Sequence, residues 1–263
     1  MRATGLEEWL LAIERHYAHW QVHLSDRLTQ ADYLNKNIAQ TRPHLNTIYT
    51  SALHLAVSVR SFRAEKVSDF VKAIIDGDAA QATRIFSRLA NYPVVITRSL
   101  EATRDWLRGC GRGTERIGLV ASSNAMRLKP AGIYVKSRID PAVWFLADKT
   151  DVRSSFALED VATEFDIQGL ELDWVGICWD ANFRREGNRW KPYYFRGTHW
   201  DRITDDTRAA YLANSYRVLL TRARQGMAIY VPAGSDIDDT RNPDFYEQTY
   251  AFLCECGITK IAS

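Results

Sequence analysis

The sequence lacks the features that mark several protein classes. No apolar run among its 263 residues approaches the roughly 18 to 20 residues that a membrane-spanning helix needs. The N-terminus carries Glu7 and Glu8 and lacks the charged-then-apolar pattern of a secretion signal. Its four cysteines lack the spacing of a zinc site, because a single residue separates Cys254 from Cys256, whereas a zinc-binding pair usually has two residues between the cysteines. A cytoplasmic protein with reduced thiols and no membrane partner is therefore expected.

The chain also lacks a strong charge of one sign. Its net charge is +2 and its pI is near 8.3, whereas dedicated nucleic-acid-binding domains usually concentrate positive charge on one face. A hydrophobic content of 46% is enough for a substantial core in a chain of this length. Any nucleic-acid-binding surface must therefore be local.

A third absence concerns phosphate binding. No segment has the form G-x-x-x-x-G-K-[ST], the loop that cradles nucleotide phosphates and places magnesium. The sequence by itself thus supplies no phosphate-binding lysine of this kind.

Apolar segments of strand length alternate with amphipathic helical segments, and this pattern predicts an α/β fold. Strands are predicted at 52–59, 94–97, 116–120, 161–165, 173–179, 227–231 and 258–261. Helices are predicted at 62–75, 79–89, 100–107, 209–224 and 245–256. The alternation favours a parallel sheet with helices on both faces.

The N-terminal part has a different pattern. Trp9, Ile13, Tyr17 and Trp20 recur at helical steps, so residues 1–48 are predicted to be a helical segment or a linker, and residues 49–263 the α/β domain. His16, His19 and His23 also fall at helical steps and could share a metal, but ordinary surface histidines explain them as well. No metal site is predicted.

A turn with ligand-binding character lies at Gln168, Gly169 and Glu171. Glycine after a strand lets the backbone approach a ligand, and the carboxylate of Glu171 can accept hydrogen bonds from a ribose hydroxyl. The alternative is that Gly169 only shapes a turn between two strands.

The segment from Thr221 to Arg224 places two arginines at the predicted end of a helix and before a strand. A permanently charged, planar guanidinium can stabilise the charge that develops on a transferred phosphoryl group. Cationic residues also favour helix C-termini for electrostatic reasons alone. A third segment, around Arg60 with Arg63 in reserve, would offer an arginine at a strand end, although such a sequence is common on solvated strands.

In their order and spacing, these segments resemble the fifth, sixth and fourth motifs of superfamily 1 helicases. The whole chain is similar to the C-terminal part of the Schlafen group 3-like DNA/RNA helicase family. The resemblance implies a RecA-like second lobe, in which Arg222 and Arg60 act on the nucleotide phosphates. It also implies that further residues border the nucleotide: Gln168, Gly169, Glu171, Thr221, Arg224 and Arg63.

The resemblance places Met1 inside the family's domain, downstream of its phosphate-binding lysine and magnesium-binding acids. ATP with Mg²⁺ is therefore expected only when an N-terminal ATPase lobe, in cis or in trans, completes the site. We expect no meaningful ATPase activity from this polypeptide alone. Two alternatives stay open: a nucleic-acid-binding or interaction module that has lost this chemistry, and an unrelated transferase built on the same sheet.

Between the two strongest motifs, residues 179–202 interleave basic and aromatic residues, a composition typical of surfaces that bind single-stranded DNA or RNA. The candidate contacts are Arg184, Arg185, Arg189, Lys191 and Trp190. The alternative is a hairpin around Gly187 whose aromatic residues pack on the domain.

Overall fold

The protein is represented by a computed structural model that describes residues 6–26, 44–53, 62–89 and 91–261. The chain divides into two compact units, residues 1–60 and 61–263. The division falls between residues 60 and 61, whereas the sequence predicted a boundary between 48 and 49. The predicted strand at 52–59 lies mostly outside the described residues, and residues 51–53 form a single 3-10 turn.

The first unit combines one helix with a small parallel sheet. Helix α1 (Leu6–His16) is followed by β1 (Gln21–Leu24), which pairs with β2 (Asn46–Tyr49). The prediction of helix is therefore wrong at β1, where exposed and buried side chains alternate with the period of a strand, and at β2. Residues 27–43 lie outside the described residues. His23 lies on β1 and not on the helix of His16. The described residues contain no group of three or more side chains able to hold a metal ion.

The second unit is an open α/β sheet. Its strands are β3 (Val94–Thr97), β4 (Ile117–Ala121), β5 (Val161–Thr163), β6 (Leu172–Cys178), β10 (Ala223–Tyr230) and β11 (Thr259–Lys260). Its helices are α2 (Phe62–Asp76), α3 (Ala79–Phe86), α4 (Leu100–Cys110), α5 (Pro141–Leu146), α6 (Asp206–Leu220) and α7 (Asp244–Glu255).

The six strands lie in the order β11-β3-β10-β6-β4-β5, and every pair is parallel. Adjacent residues of β4 enter different cores. Val120 packs with residues of α2, α6 and α7, whereas Leu119 packs with residues of α4. This alternation confirms the predicted parallel sheet with helices on both faces.

Between β6 and α6 the chain forms a separate antiparallel sheet: β7 (Phe183–Glu186), β8 (Arg189–Arg196) and β9 (His199–Arg202). Both hairpins turn through two residues whose first is a glycine with φ +59°, Gly187 and Gly197. Glycine at this position is the requirement of a type II′ turn. The predicted hairpin around Gly187 is thus present, and its Trp190 stacks on Phe183 at 4.7 Å.

Helix α6 ends four residues before the predicted limit. Leu220 is its last residue, and Ala223 already begins β10 by pairing with Leu172 of β6. The hydroxyl of Tyr92 donates a hydrogen bond to the Ala223 carbonyl at 3.1 Å and fixes this early strand start. Within the described part of the chain, no helix combines the length and apolar character that a bilayer crossing requires.

Candidate nucleotide-binding edge and strand-binding sheet

Two segments that lie far apart in sequence meet at the amino ends of β6 and β10. The Leu172 amide donates to the Arg222 carbonyl at 3.0 Å. The Arg222 side chain returns a hydrogen bond from Nη1 to the Leu170 carbonyl at 3.5 Å, across 52 residues of sequence. Parallel pairing of β6 with β10 therefore brings the glycine-containing turn beside the arginine-containing turn.

The conformation of Arg222 follows from the end of α6. Its amide donates to the Leu219 carbonyl, and its Nε donates to the Val218 carbonyl at 3.1 Å. Thr221 caps the same turn, because its hydroxyl donates to the Arg217 carbonyl at 2.9 Å. These contacts satisfy carbonyls that a helix end leaves without an internal partner. They also hold a half-buried guanidinium at the edge of the sheet.

The neighbouring turn leaves its backbone open. Gly169 is exposed with φ +85°, and a Cβ built there would meet nothing within 4 Å. Gln168 is exposed beside it, and Glu171 is half-buried at the start of β6. An accessible backbone, a carboxylate and a guanidinium on one edge fit the ribose and phosphates of a nucleotide.

Arg224 has a different environment from Arg222. It is the second residue of β10, and its Nη1 lies 3.8 Å from the Asp173 carboxylate. Gln225 donates to the same Asp173 at 3.1 Å and to Glu115 at 2.9 Å. Hydrogen bonds from Gln225 and Trp174 hold the pKa of Glu115 below its usual value.

Sequence reasoning missed this group of carboxylates. The positions of Asp173 and Glu115, each close to the start of a predicted strand, could have revealed the group. In a parallel sheet, the starts of adjacent strands meet at one edge.

The structure does not describe the side chains of the predicted fourth motif. Arg60 lies outside the described residues. Only the backbone of Arg63 is described, in the first turn of α2. Their roles stay predictions.

Two of the predicted nucleic-acid contacts are in the protein interior. Arg184 and Arg185 are only 5% and 6% exposed. The Arg184 guanidinium lies 3.7 Å from the Tyr193 ring centre and 3.9 Å from that of Phe245, and the Arg185 guanidinium lies 4.1 Å from the Phe252 ring centre. The sheet packs on α7, so both guanidinium groups stack on aromatic rings and are not available to a strand in this structure.

Trp190 also has a structural partner. Its indole N–H donates to the Ile74 carbonyl at 2.8 Å, and its ring joins the stack of Trp179 and Phe183. Arg189 is exposed and Lys191 is half-buried, so these two of the five predicted contacts remain on the accessible surface.

A buried polar group at the opposite end of the sheet was not predicted. Asp180, just after β6, is fully buried and accepts hydrogen bonds from the amides of Arg127 and Ala181 and from the Tyr246 hydroxyl. Desolvation raises its pKa to about 6 despite these bonds. Tyr216 donates to the adjacent Asn182 at 2.6 Å. Sequence patterns could not reveal the group, because its members come from four separate segments.

The fold and this edge define an α/β protein with a six-stranded parallel sheet flanked by helices and an arginine-bearing turn at the amino ends of β6 and β10. The chain belongs to the Schlafen group 3 DNA/RNA helicase domain family, whose model matches residues 4–233.

A solved structure is also similar: the C-terminal domain of a possible DNA helicase from Lactobacillus plantarum WCFS1. It has 17% identity and a TM-score of 0.33, and the match covers 72% of this chain and 98% of that one. No curated protein matches the chain.

Proposed function

We propose that this chain is the second RecA-like lobe of a superfamily 1-type DNA/RNA helicase or nucleic-acid-dependent ATPase. The observation that carries the proposal is the contact between the Gly169 turn and Arg222 at the amino ends of β6 and β10. The family match supports the general class. The sequence has no G-x-x-x-x-G-K-[ST] loop, so the phosphate-binding lysine comes from a first lobe outside it.

In this proposal each residue at the edge has a defined task. Arg222 is directed at the γ-phosphate oxygens, where charge develops during transfer, and its fixed position avoids reorganisation at that moment. Gly169 lets the backbone approach the ligand, and Glu171 accepts hydrogen bonds from the ribose. ATP would supply the transferred phosphoryl group, and Mg²⁺, which acids of a first lobe would hold, would neutralise part of the phosphate charge.

A second candidate function is a nucleic-acid-binding module without ATPase chemistry. The observation that favours it is the accessible basic surface of β8 and β9, which lies on a different sheet from Arg222. Strand binding that does not respond to ATP under any condition would select this candidate.

The first test measures ATP hydrolysis by the chain alone and by the chain mixed with a polypeptide that carries the first lobe. We expect turnover only in the mixture. Arg222→Ala should reduce that turnover by on the order of 10³-fold, because an arginine in this role contributes about 10³ to 10⁵ in rate. Arg222→Lys should restore little of it, since a point charge lacks the planar fork.

Arg217→Ala provides the matched control. Arg217 is an exposed arginine in the last turn of α6, bonded to Asn214, and its loss should leave turnover near the wild-type value. Robust turnover by the chain alone, or full turnover by Arg222→Ala in the mixture, would contradict the proposal.

A further inference from the structure

Three exposed or half-buried cationic residues lie on one face of the antiparallel sheet, which they share with the buried Arg184. Arg189 and Lys191 are two residues apart on β8, so their side chains share a face, and Tyr193 is the next residue on that face. Arg202 of β9 pairs directly with Tyr193 and therefore points to the same side. The β8 side chains on this face are spaced by about 6.7 Å, the advance of two strand residues.

None of these three cations forms an ion pair or a side-chain hydrogen bond with any residue that the structure describes. The nearby acid on their face is Glu186, which pairs with Arg189 in the strand register. Its carboxylate already accepts hydrogen bonds from Arg184 at 3.0 Å and from the Tyr193 hydroxyl at 2.7 Å. Against the effect of its partial burial, hydrogen bonds from Tyr193 and Arg184 lower the pKa of Glu186. The charge of Lys191 makes a smaller contribution to this lowering.

The other acid of this sheet faces away from the three cations. Asp201 pairs with Tyr194 on the opposite face and interacts there with Arg196 and His199. The face of Arg189, Lys191 and Arg202 therefore has an excess of positive charge, because Glu186 is the one carboxylate that the three described strands place on this face of the sheet and already pairs with Arg184.

Tyr193 shares this face with Phe195 and Trp200, and a neighbour on the same face holds it in place. The buried Arg184 guanidinium stacks 3.7 Å from the centre of the Tyr193 ring, whose hydroxyl is fixed by Glu186. The half-buried Tyr193 ring thus has one supported side and a fixed hydroxyl, which is a rigid arrangement beside the cations. Aromatic rings beside cationic groups are the usual components of single-strand binding surfaces.

We propose that the face of Arg189, Lys191, Tyr193 and Arg202 binds the backbone of single-stranded nucleic acid. Each cation contacts one phosphate, and Tyr193 offers its ring edge to a neighbouring base. The spacing of the β8 side chains is close to the distance between successive phosphates of an extended strand, and the Tyr193 ring beside the cations favours a nucleic-acid strand over an acidic protein. The inference deepens the proposed function, because a helicase lobe must hold the strand along which it moves.

The test measures binding of the full 263-residue chain to fluorescent oligo(dT) and oligo(U) of twenty nucleotides, by anisotropy and without ATP. The triple variant Arg189→Ala/Lys191→Ala/Arg202→Ala is compared with the wild type. We expect its affinity to fall at least tenfold. Loss of three phosphate contacts should also make the slope of log K against log salt about two units less steep, since each contact on a single strand contributes about 0.7.

The control variant Arg84→Ala/Arg88→Ala/Arg108→Ala removes the same number of positive charges from exposed positions on or beside α3 and α4. It should bind like the wild type, which separates a local surface from net charge. Thermal unfolding by circular dichroism confirms that both triple variants are folded.

Equal affinity of the two triple variants would overturn the proposal, as would absence of strand binding by the wild type. Preference for duplex DNA over both oligonucleotides, or complete displacement by polyglutamate at an equal concentration of charges, would overturn the assignment to a single strand. Because no ATP is present, Arg222→Ala should bind the oligonucleotides like the wild type. Failure of the ATPase proposal would therefore leave this result unchanged.

Discussion

At the scale of single residues, Asp180 is a fully buried carboxylate with a raised pKa. Asp180 lies just after β6, and its side chain has no exposed surface. Its carboxylate accepts one hydrogen bond from the Arg127 amide and another from the Tyr246 hydroxyl of α7. A buried carboxylate is retained only where hydrogen bonds offset part of its desolvation. The residue thus connects the loop after β4 to a helix on the other face of the sheet.

The raised pKa of Asp180 predicts a pH dependence of stability. Its folded pKa is about 6, above the usual 3.8, so between these values the folded state binds more protons than the unfolded state. Its contribution to stability is therefore complete below pH 3.8 and is lost as the pH rises through about 6. The full change is about 3 kcal/mol, from roughly two pKa units.

Urea unfolding of the wild type and Asp180→Asn at pH 4, 5, 6 and 7 measures this effect. The stability of the wild type relative to the variant should decrease over that range. Asp105→Asn, on the exposed surface of α4, should show no such trend. A difference between wild type and Asp180→Asn that stays constant with pH would contradict the assignment.

At the scale of elements, the β7–β8 hairpin depends on the glycine of its turn. Gly187 has φ +59° and open space around its Cβ position, so replacement by valine meets no neighbour but forces an unfavourable backbone. We expect Gly187→Val to lower the free energy of unfolding by about 1–3 kcal/mol. Asn188→Val, in the same turn but without positive φ, should cost less.

Denaturant unfolding, together with oligonucleotide binding by the folded variants, checks this prediction. Distortion of the hairpin should weaken strand binding in Gly187→Val, because Arg189 follows the turn directly. Equal stability of the two variants would show that the turn does not determine the hairpin.

The elements also show what the sequence could and could not predict. The buried run 94–97 matches β3, and the alternation of strands and helices predicted the parallel sheet, because these signals depend on local periodicity. The prediction of helix to Arg224 was wrong because pairing of Ala223 with Leu172 overrides local helical preference. Arg184 and Arg185 were predicted as surface contacts because composition alone does not indicate that both faces of β7 are covered.

At the scale of the whole molecule, the two units have separate cores. Leu10, Ile13, Val22, Leu24 and Leu45 pack together in the first unit. All six strands of the large sheet and the helices on both its faces belong to residues 61–263. A unit that has its own core and, among the described residues, all strands of the large sheet has the elements needed to fold alone.

We therefore expect a fragment of residues 61–263 to unfold cooperatively, with a Tm within a few degrees of the corresponding transition in the full chain. Far-UV circular dichroism and differential scanning calorimetry measure this. A second fragment, residues 91–263, keeps all six strands but loses α2 and α3. Phe70 and Ile74 of α2 are fully buried in the larger core, and their loss would expose the sheet surface beneath them. The shorter fragment should then show no cooperative transition, whereas cooperative unfolding of both fragments would mean that α2 and α3 are not part of the folding unit.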